Sequence, residues 1–271
     1  MRLIKKVAWT NNEEELAHCS SGGVFFTMAQ EILSQGGKVF GVIWQNWEAK
    51  YVLTKDIEVV KQMRGSKYVA SNLQPALQEL KREKGRVLVV ALPCQMEIIK
   101  TVCNTTNFIL CALLCHGTPT NKTFQKHLNT ISKGEQITNI QFRDKRCGWN
   151  LTTAQFLRVE FANGTIYDKR DEYVRQFLQR TNLKSTCSTC RIGKTYHRAD
   201  ILIGDAWLAH PRIVNPNGTS VVLLFTPKGR DFFLSLKNIT VKKYRISLKK
   251  LCWRRISDLL FNRLKPLLRW A

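Results

Sequence analysis

The sequence predicts an α/β protein that turns to α+β in its second half, with a mostly parallel sheet, flanking helices and a second, mixed or antiparallel sheet. Strand-like runs alternate with helical patterns over residues 24–132, and such alternation is typical of parallel sheets. Later runs such as "TTAQFLRVEFANGTIYD" contain an Asn163-Gly164 pair, which favours an antiparallel hairpin.

The elements follow from apolar periodicity, taken in chain order. "VFFTMAQEIL" is spaced as a helix and stops at Gly36-Gly37, "KVFGVIW" and "YVLT" predict strands, and "LQPALQELKREKG" predicts a helix ending at Gly85. "RVLVVALP" and "FILCALLC" predict buried strands separated by a short helix at "MEIIKTV", and "NKTFQKHLNTI" predicts another helix. "NIQFRDK" and "SVVLLFTPKG" predict strands of the second half, and "DEYVRQFLQRT" a helix before the cysteine segment.

Three segments are predicted: an α/β half over 1–132, a mixed-sheet half with a cysteine pair over 133–241, and a basic tail over 242–271. The last thirty residues contain ten Lys and Arg against one Asp, with leucines on one helical face until Pro266. Such a helix suits peripheral contact with the inner membrane. The alternative is a helix packed on the body of the protein with its charges in water.

Charge and cysteine count limit the function classes. The formal charge of +23 implies an anionic partner, although the basic residues are scattered and no nucleic-acid module is recognisable, which makes nucleic acid an unlikely partner. No signal peptide or membrane-spanning run is present, so the sequence predicts a cytoplasmic protein. In that compartment nine cysteines are expected to be buried residues or metal ligands rather than disulfides.

Two features suggest chemistry. "SSGG" at Ser20–Gly23 precedes a helix, so it is either an anion site or a plain helix cap. Cys187 and Cys190 are spaced as in disulfides, redox dithiols, zinc sites and iron–sulfur clusters, and spacing alone favours zinc over iron. Cys94 and Cys115 follow apolar strands and complete a set of four thiols, whereas the buried-residue reading is favoured for Cys19, Cys103, Cys111 and Cys252.

Seven ordered motifs together resemble the family of coenzyme F420 hydrogenase/dehydrogenase beta subunits, which includes 7-hydroxymethyl chlorophyll a reductase and relatives encoded with bacterial polysaccharide synthesis genes. They are "SSGGVFFTMAQEILSQGGKVFGVIW", "RGSKYVASN", "LPCQ", "LCHGTPT", "FRDKRCGW", "CSTC" and "ADILIGDAW" with "NGTSVVLLFT" after it. The resemblance extends from about Lys6 to about Lys237.

The resemblance implies an iron–sulfur flavoprotein oxidoreductase that couples electron transfer through a [4Fe–4S] cluster to hydride chemistry at FAD. It implies a flavin cleft and an iron–sulfur site between the two sheets. The implied residues are, for catalysis, Lys145 and His116; for the cofactor, Ser21, Gly22, Gly23, Ser66, Lys67, Tyr68, Trp149, Gly204 and Asp205; and for the cluster, Cys94, Cys115, Cys187 and Cys190. Cys147 is an alternative ligand.

Partners and substrate are expectations of the same kind. Many family members carry an amino-terminal ferredoxin-like segment that this sequence lacks, which predicts an external electron donor such as ferredoxin or another redox subunit. A small-molecule or sugar-linked substrate, used in polysaccharide biosynthesis, is preferred. The competing hypothesis is a zinc-stabilised basic protein that binds nucleic acid or anionic surfaces.

Overall fold

The computed structural model describes residues 3–150, 153–190 and 198–246. The predicted tail helix lies outside the described residues, as does the side chain of Cys147. No helix in the described part of the chain is long and apolar enough to cross a membrane.

The described residues form eleven strands and nine α-helices. The strands are β1 (Ile4–Thr10), β2 (Lys38–Gln45), β3 (Glu48–Thr54), β4 (Val87–Ala91), β5 (Phe108–Leu113), β6 (Ile137–Phe142), β7 (Phe156–Phe161), β8 (Ile166–Arg170), β9 (Ile201–Asp205), β10 (Ser220–Leu224) and β11 (Ile239–Lys243). The helices are α1 (Glu13–His18), α2 (Val24–Ser34), α3 (Ile57–Gln62), α4 (Gln74–Arg82), α5 (Pro93–Val102), α6 (Asn121–Ser132), α7 (Glu172–Gln179), α8 (Ser185–Ser188) and α9 (Pro227–Ser235).

Two sheets organise these elements. The large sheet has the order β11-β1-β10-β9-β5-β4-β2-β3, and the small sheet has the order β6-β7-β8. Pairing is parallel only across β2, β4, β5 and β9, while the outer strands of the large sheet and the whole small sheet are antiparallel. The predicted α/β class with a second, smaller sheet is confirmed, but parallel pairing is confined to the centre of the large sheet.

The central strands are buried on both faces, so their sequences are apolar throughout. Leu88 and Ile109 face the core that contains α2, α3 and α9, whereas Val89 and Leu110 face the core that contains α4 and α5. A third core joins the small sheet to α6 and α7. The third core also contains Ala49 of β3, with Val42 and Trp44 of β2 packed against it, so it joins the small sheet to the edge of the large one. Strands β9–β11 complete the large sheet although they follow residue 132. The predicted three-segment division stays a prediction.

Candidate active site

A cleft of about 340 Å³ lies at the carboxyl ends of the parallel strands β4, β5 and β9. Its wall includes Val90, Leu113 and Ile203 from those strands and the chain leading into α2. Ligand sites in open α/β sheets form at this edge, and the volume lies in the range of small-molecule pockets. Among the described residues of the wall, four carry a cation and one a carboxylate: Arg64, Lys67, Arg143, Arg175 and Asp205. Arg64, Arg143 and Arg175 are each paired with a carboxylate, that of Glu15, Asp205 and Glu172 respectively, so most of the positive charge on this wall is compensated.

The predicted "SSGG" loop forms one end of this cleft. Gly23 is the N-cap of α2, with φ of 74°, and no side chain caps the helix. The plain-cap interpretation of the two serines is therefore wrong, because both hydroxyls bind elsewhere: Ser20 Oγ accepts the Ser66 amide (2.7 Å), and Ser21 Oγ donates to the Thr219 carbonyl (2.9 Å). The start of α2 therefore has no side-chain cap and no acidic residue in its first turn.

Gly22 supports this loop from behind rather than lining the cleft. A β-carbon at this position would lie 2.4 Å from the Ala8 carbonyl oxygen and 2.6 Å from the Ser220 nitrogen. Its amide donates to Ser220 Oγ (3.0 Å), and its carbonyl accepts the Thr10 amide (2.8 Å). Only glycine lets the loop approach β1 and β10 this closely.

The "GSKY" segment is placed beside the loop, as predicted, but its lysine is engaged with the backbone. Lys67 Nζ donates to carbonyl oxygens at the end of α3, including those of Gln62 (3.1 Å) and Arg64 (3.2 Å). Burial lowers the pKa of Lys67 to about 7, while these carbonyls favour its charged form. Tyr68 lines the cleft and stacks on Phe177, with ring centroids 4.2 Å apart. Burial raises the pKa of Tyr68, although the charge of Arg143 acts to lower it.

A buried ion pair forms another wall of the cleft. Arg143 Nη1 and Nη2 donate to the two carboxylate oxygens of Asp205 at 2.6 and 2.8 Å. The guanidinium lies 4.9 Å from the ring centroid of Trp207, which stacks on Trp149 at 4.4 Å. Trp149 Nε1 also donates to Asp205, at 3.4 Å. Burial acts to lower the pKa of Arg143, but Asp205 and Tyr68 raise it above its ordinary value. Arg143, Asp205 and Trp207 together form one face of the cleft.

Sequence reasoning placed Asp205, Gly204 and Trp149 near the cleft and missed Arg143 and Trp207. Asp205 and Gly204 line it, whereas Trp149 lies behind Trp207. Gly204 is packed against Leu114, whose Cβ would be 2.5 Å from an added β-carbon. The position of Arg143 in the "FRDKRCGW" motif was the available signal, but nothing local distinguishes it from Lys145.

Lys145, predicted as catalytic, does not line the cleft. Its ammonium donates to the carbonyl oxygens of Leu16 (2.7 Å) and Ser21 (2.6 Å). Burial lowers the pKa of Lys145 to about 8, partly offset by Cys19, while Arg143 lowers it further. The contacts connect α1 and the "SSGG" loop to the turn after β6.

The four predicted cluster cysteines lie near one another. The pKa of Cys115 is raised to about 12, mainly by burial. The hydrogen bond from the Gly117 amide acts to lower it, and the charges of Cys94, Cys187 and Cys190 act to raise it. The pKa of Cys94 is also raised by burial and then by Cys190 and Cys187. Cys115 lines the cleft, whereas Cys94 and Cys190 are exposed. One thiol of the set therefore reaches the cleft and two reach the surface.

Four cysteine thiols are the donor set that a protein supplies to a [4Fe–4S] cluster. None of the cysteines with described side chains is in a disulfide. Within the described residues, no group of three or more His, Cys, Asp or Glu side chains is placed to hold a metal ion. The Gly117 amide donates to Cys115 Sγ (3.3 Å), a contact of the kind that surrounds cluster sulfurs.

His116, also predicted as catalytic, is buried and bonded to α7. Its Nε2 lies 2.9 Å from the Phe177 carbonyl oxygen and 3.1 Å from that of Leu178. Burial lowers the pKa of His116 to about 3, and Arg180 contributes to the lowering. The ring is therefore neutral, and Nε2 carries the proton because carbonyls only accept.

Fold and site together define an α/β protein with a cleft at the carboxyl edge of its sheet and four thiols near it. The chain belongs to the family of coenzyme F420 hydrogenase/dehydrogenase beta subunits: the model of the family's N-terminal part matches residues 6–78, and that of its C-terminal part matches residues 84–247. The predicted family is confirmed, and its members are oxidoreductase subunits.

The chain is similar to two proteins of known identity. One of the subunits of the F(420)H(2) dehydrogenase of Methanosarcina mazei is 32% identical over 194 residues, which cover 70% of this chain and 50% of that protein. The chain thus spans about half the length of this curated relative. A chain of the xenon-derivatised F420-reducing [NiFe] hydrogenase complex from Methanosarcina barkeri matches with a TM-score of 0.65 and 16% identity, covering 97% of this chain and 92% of that one. At this identity the second match supports the fold.

Proposed function

We propose that the chain is an iron–sulfur flavoprotein oxidoreductase that holds FAD in the cleft and a [4Fe–4S] cluster on Cys94, Cys115, Cys187 and Cys190. The supporting observation is that one cleft is lined both by the start of α2 and by Cys115. When bound, the flavin would exchange hydride equivalents with a substrate and the cluster would pass single electrons.

The residues of the chain would hold these groups as follows. The first turn of α2 would bind the pyrophosphate, and Gly22 and Gly23 give the loop its shape. Tyr68 and Trp207 offer aromatic surface to the isoalloxazine ring, with Tyr68 held by Phe177 and Trp207 by Trp149. We assign Lys145 the task of orienting the "SSGG" loop through the Ser21 carbonyl, not that of proton transfer.

The Arg143–Asp205 pair would supply a charged surface on the wall of the cleft that holds the flavin. It presents a fixed cation whose charge is matched by a carboxylate, so it can orient a polar or anionic group without itself changing protonation. As substrate we propose a small molecule: either a deazaflavin of the kind named in the relatives, or the sugar-linked compound expected from the sequence. Anaerobic reoxidation of the reduced protein by each candidate distinguishes them.

The proposal is tested by an anaerobic absorption spectrum with iron, sulfide and flavin assays on one sample. We expect about four irons per chain together with released FAD. Cys187→Ser should lose most of the iron and keep the flavin, whereas Cys103→Ser, which alters a half-buried thiol at the end of α5, should keep both. A colourless protein that contains zinc, or a Cys187→Ser variant with its full iron content, contradicts the assignment.

A further inference from the structure

The carboxyl end of α7 connects two loops that carry proposed cluster ligands. One loop follows β5 and contains Cys115 and His116, and the other contains α8 and Cys187. The His116 ring is fixed on the Phe177 and Leu178 carbonyls of α7. These bonds attach the first loop to the helix, but they do not hold the second loop.

Arg180, the residue that ends α7, reaches both loops. It adopts a left-handed conformation (φ 65°), and its amide donates to the Phe177 carbonyl at 3.0 Å. Its Nη1 donates to the His116 carbonyl (2.5 Å) and its Nη2 to the Cys187 carbonyl (3.2 Å). One planar guanidinium therefore joins the main chain beside Cys115 to the main chain of Cys187.

The two loops also touch directly, so their separation is set closely. The Lys184 amide donates to the Thr118 carbonyl at 2.9 Å. A β-carbon on Gly117 would lie 2.5 Å from Leu183 Cδ1 and 3.3 Å from Cys187 Cβ. Any movement of the second loop relative to the first must break the bonds of Arg180 or open this contact.

In the described part of the chain, no carboxylate forms an ion pair with Arg180. Its guanidinium is half-buried and bonded to neutral carbonyls. A full positive charge therefore lies beside the segment that carries Cys187, at reduced solvent screening.

We propose that Arg180 is a positioning residue for the cluster, which fixes the loops of Cys115 and Cys187 relative to each other and raises the reduction potential of the cluster. One-electron reduction makes the cluster more negative by one charge, and a nearby cation stabilises that form. This inference rests on the proposed function, since it requires that a cluster be bound.

The first test is a redox titration of the cluster in the full chain, followed by electron paramagnetic resonance. Arg180→Gln keeps a polar side chain but removes the charge and should shift the midpoint to lower potential, whereas Arg180→Lys should stay close to the parent protein. Arg230→Gln removes a partly exposed arginine of α9 that pairs with Asp231, and should cause no shift. A midpoint in Arg180→Gln equal to that of the parent, with full iron content, overturns the electrostatic claim.

The second test needs no cluster and separates the inference from the proposed function. In iron-free protein, hydrogen–deuterium exchange of the peptide that contains Cys187 is followed by mass spectrometry. Arg180→Gln should exchange several-fold faster than the parent, because the loop is no longer held, and Arg230→Gln should exchange at the parent rate. Equal rates in the parent and Arg180→Gln overturn the positioning role. Parent protein that binds no iron overturns the proposed function, while the exchange rates still decide whether Arg180 fixes the loop.

Discussion

Arg143 and Asp205 show how single residues shape the cleft. The side chains are 7% and 15% exposed, and both carboxylate oxygens accept from the guanidinium. Arg143 also has a positive φ of 60°, a conformation that few side chains adopt. The backbone strain is tolerated because the ion pair and the Trp207 ring hold the guanidinium in one place.

Removal of one partner of this pair should destabilise the chain strongly. Asp205→Asn leaves a buried guanidinium without its counter-charge, and we expect the free energy of unfolding to fall by about 3 kcal/mol. Urea unfolding of the full chain measures this loss. The double variant Arg143→Met with Asp205→Leu removes both charges and should lose less than Asp205→Asn alone. A loss below about 1 kcal/mol in Asp205→Asn would show that water screens the pair.

Site residues differ in how far the sequence could predict them. Ser21, Gly23 and Tyr68 belong to motifs whose local pattern suits a cofactor, and all three line the cleft. Lys145 and Lys67 carry the right charge, but their ammonium groups bond backbone carbonyls contributed by the folded chain. Arg143 meets a partner 62 residues away, and no local pattern reveals that contact.

Helix α7 is the element on which both the third core and the ligand loops depend. Asp171 is its N-cap: Oδ1 accepts the Val174 amide (3.0 Å), and Oδ2 accepts from Tyr167 (2.7 Å) and lies 2.8 Å from His127 Nε2. Burial acts to raise the pKa of Asp171, but His127, Tyr167 and the Val174 amide lower it below the ordinary value. The ionised carboxylate therefore stabilises the folded chain.

This network predicts a defined pH dependence. The pKa of Asp171 is lower in the folded chain than in the unfolded chain, where it is about 3.9. The stabilisation is therefore complete above this unfolded-state pKa and is lost as the pH falls through the folded-state pKa. Asp171→Asn should be less stable than the parent by about 1–3 kcal/mol near neutral pH, and the difference should shrink below about pH 4. Urea midpoints across the acid range measure it. Asp231→Asn, an exposed control, should follow the parent curve, and a difference that stays constant down to about pH 3 would contradict the role of Asp171.

Helices and strands could be predicted where the apolar residues recur with a clear local period. Strands that depend on pairing with distant segments of the chain could not. The predicted strands and helices between "VFFTMAQEIL" and "SVVLLFTPKG" all form. Strands β1, β9 and β11 and the helices α1, α3, α8 and α9 were not predicted, and the strand predicted at "SVVLLFTPKG" ends at Leu224, before α9 begins at Pro227. β1 carries two lysines and pairs with β10 and β11, more than 200 residues away, so its strand character depends on contacts that a sequence window cannot contain. For the same reason the antiparallel outer part of the large sheet was missed.

At the scale of the whole molecule, the proposed ligand cysteines lie partly in the cleft and partly at the surface. Cys115 reaches the cleft, while Cys94 and Cys190 are exposed, so a cluster on these ligands would connect the interior to the surface. The chain carries a formal charge of +23. A mobile electron donor that meets such a surface is favoured if it is acidic, because opposite charges accelerate encounter.

We therefore expect reduction of the protein by an acidic bacterial ferredoxin to depend on salt. The second-order rate should fall about tenfold or more as ionic strength rises from about 20 to about 300 mM, since the screening length shortens from about 20 Å to below about 10 Å. Anaerobic stopped-flow absorbance measures the rate. The methyl viologen radical cation is the control donor: it is repelled by the same charge, so salt should leave its rate unchanged or increase it. A ferredoxin rate that does not respond to salt would mean that electrostatic attraction does not bring the donor to this surface, and would favour delivery of electrons by a permanently bound redox partner.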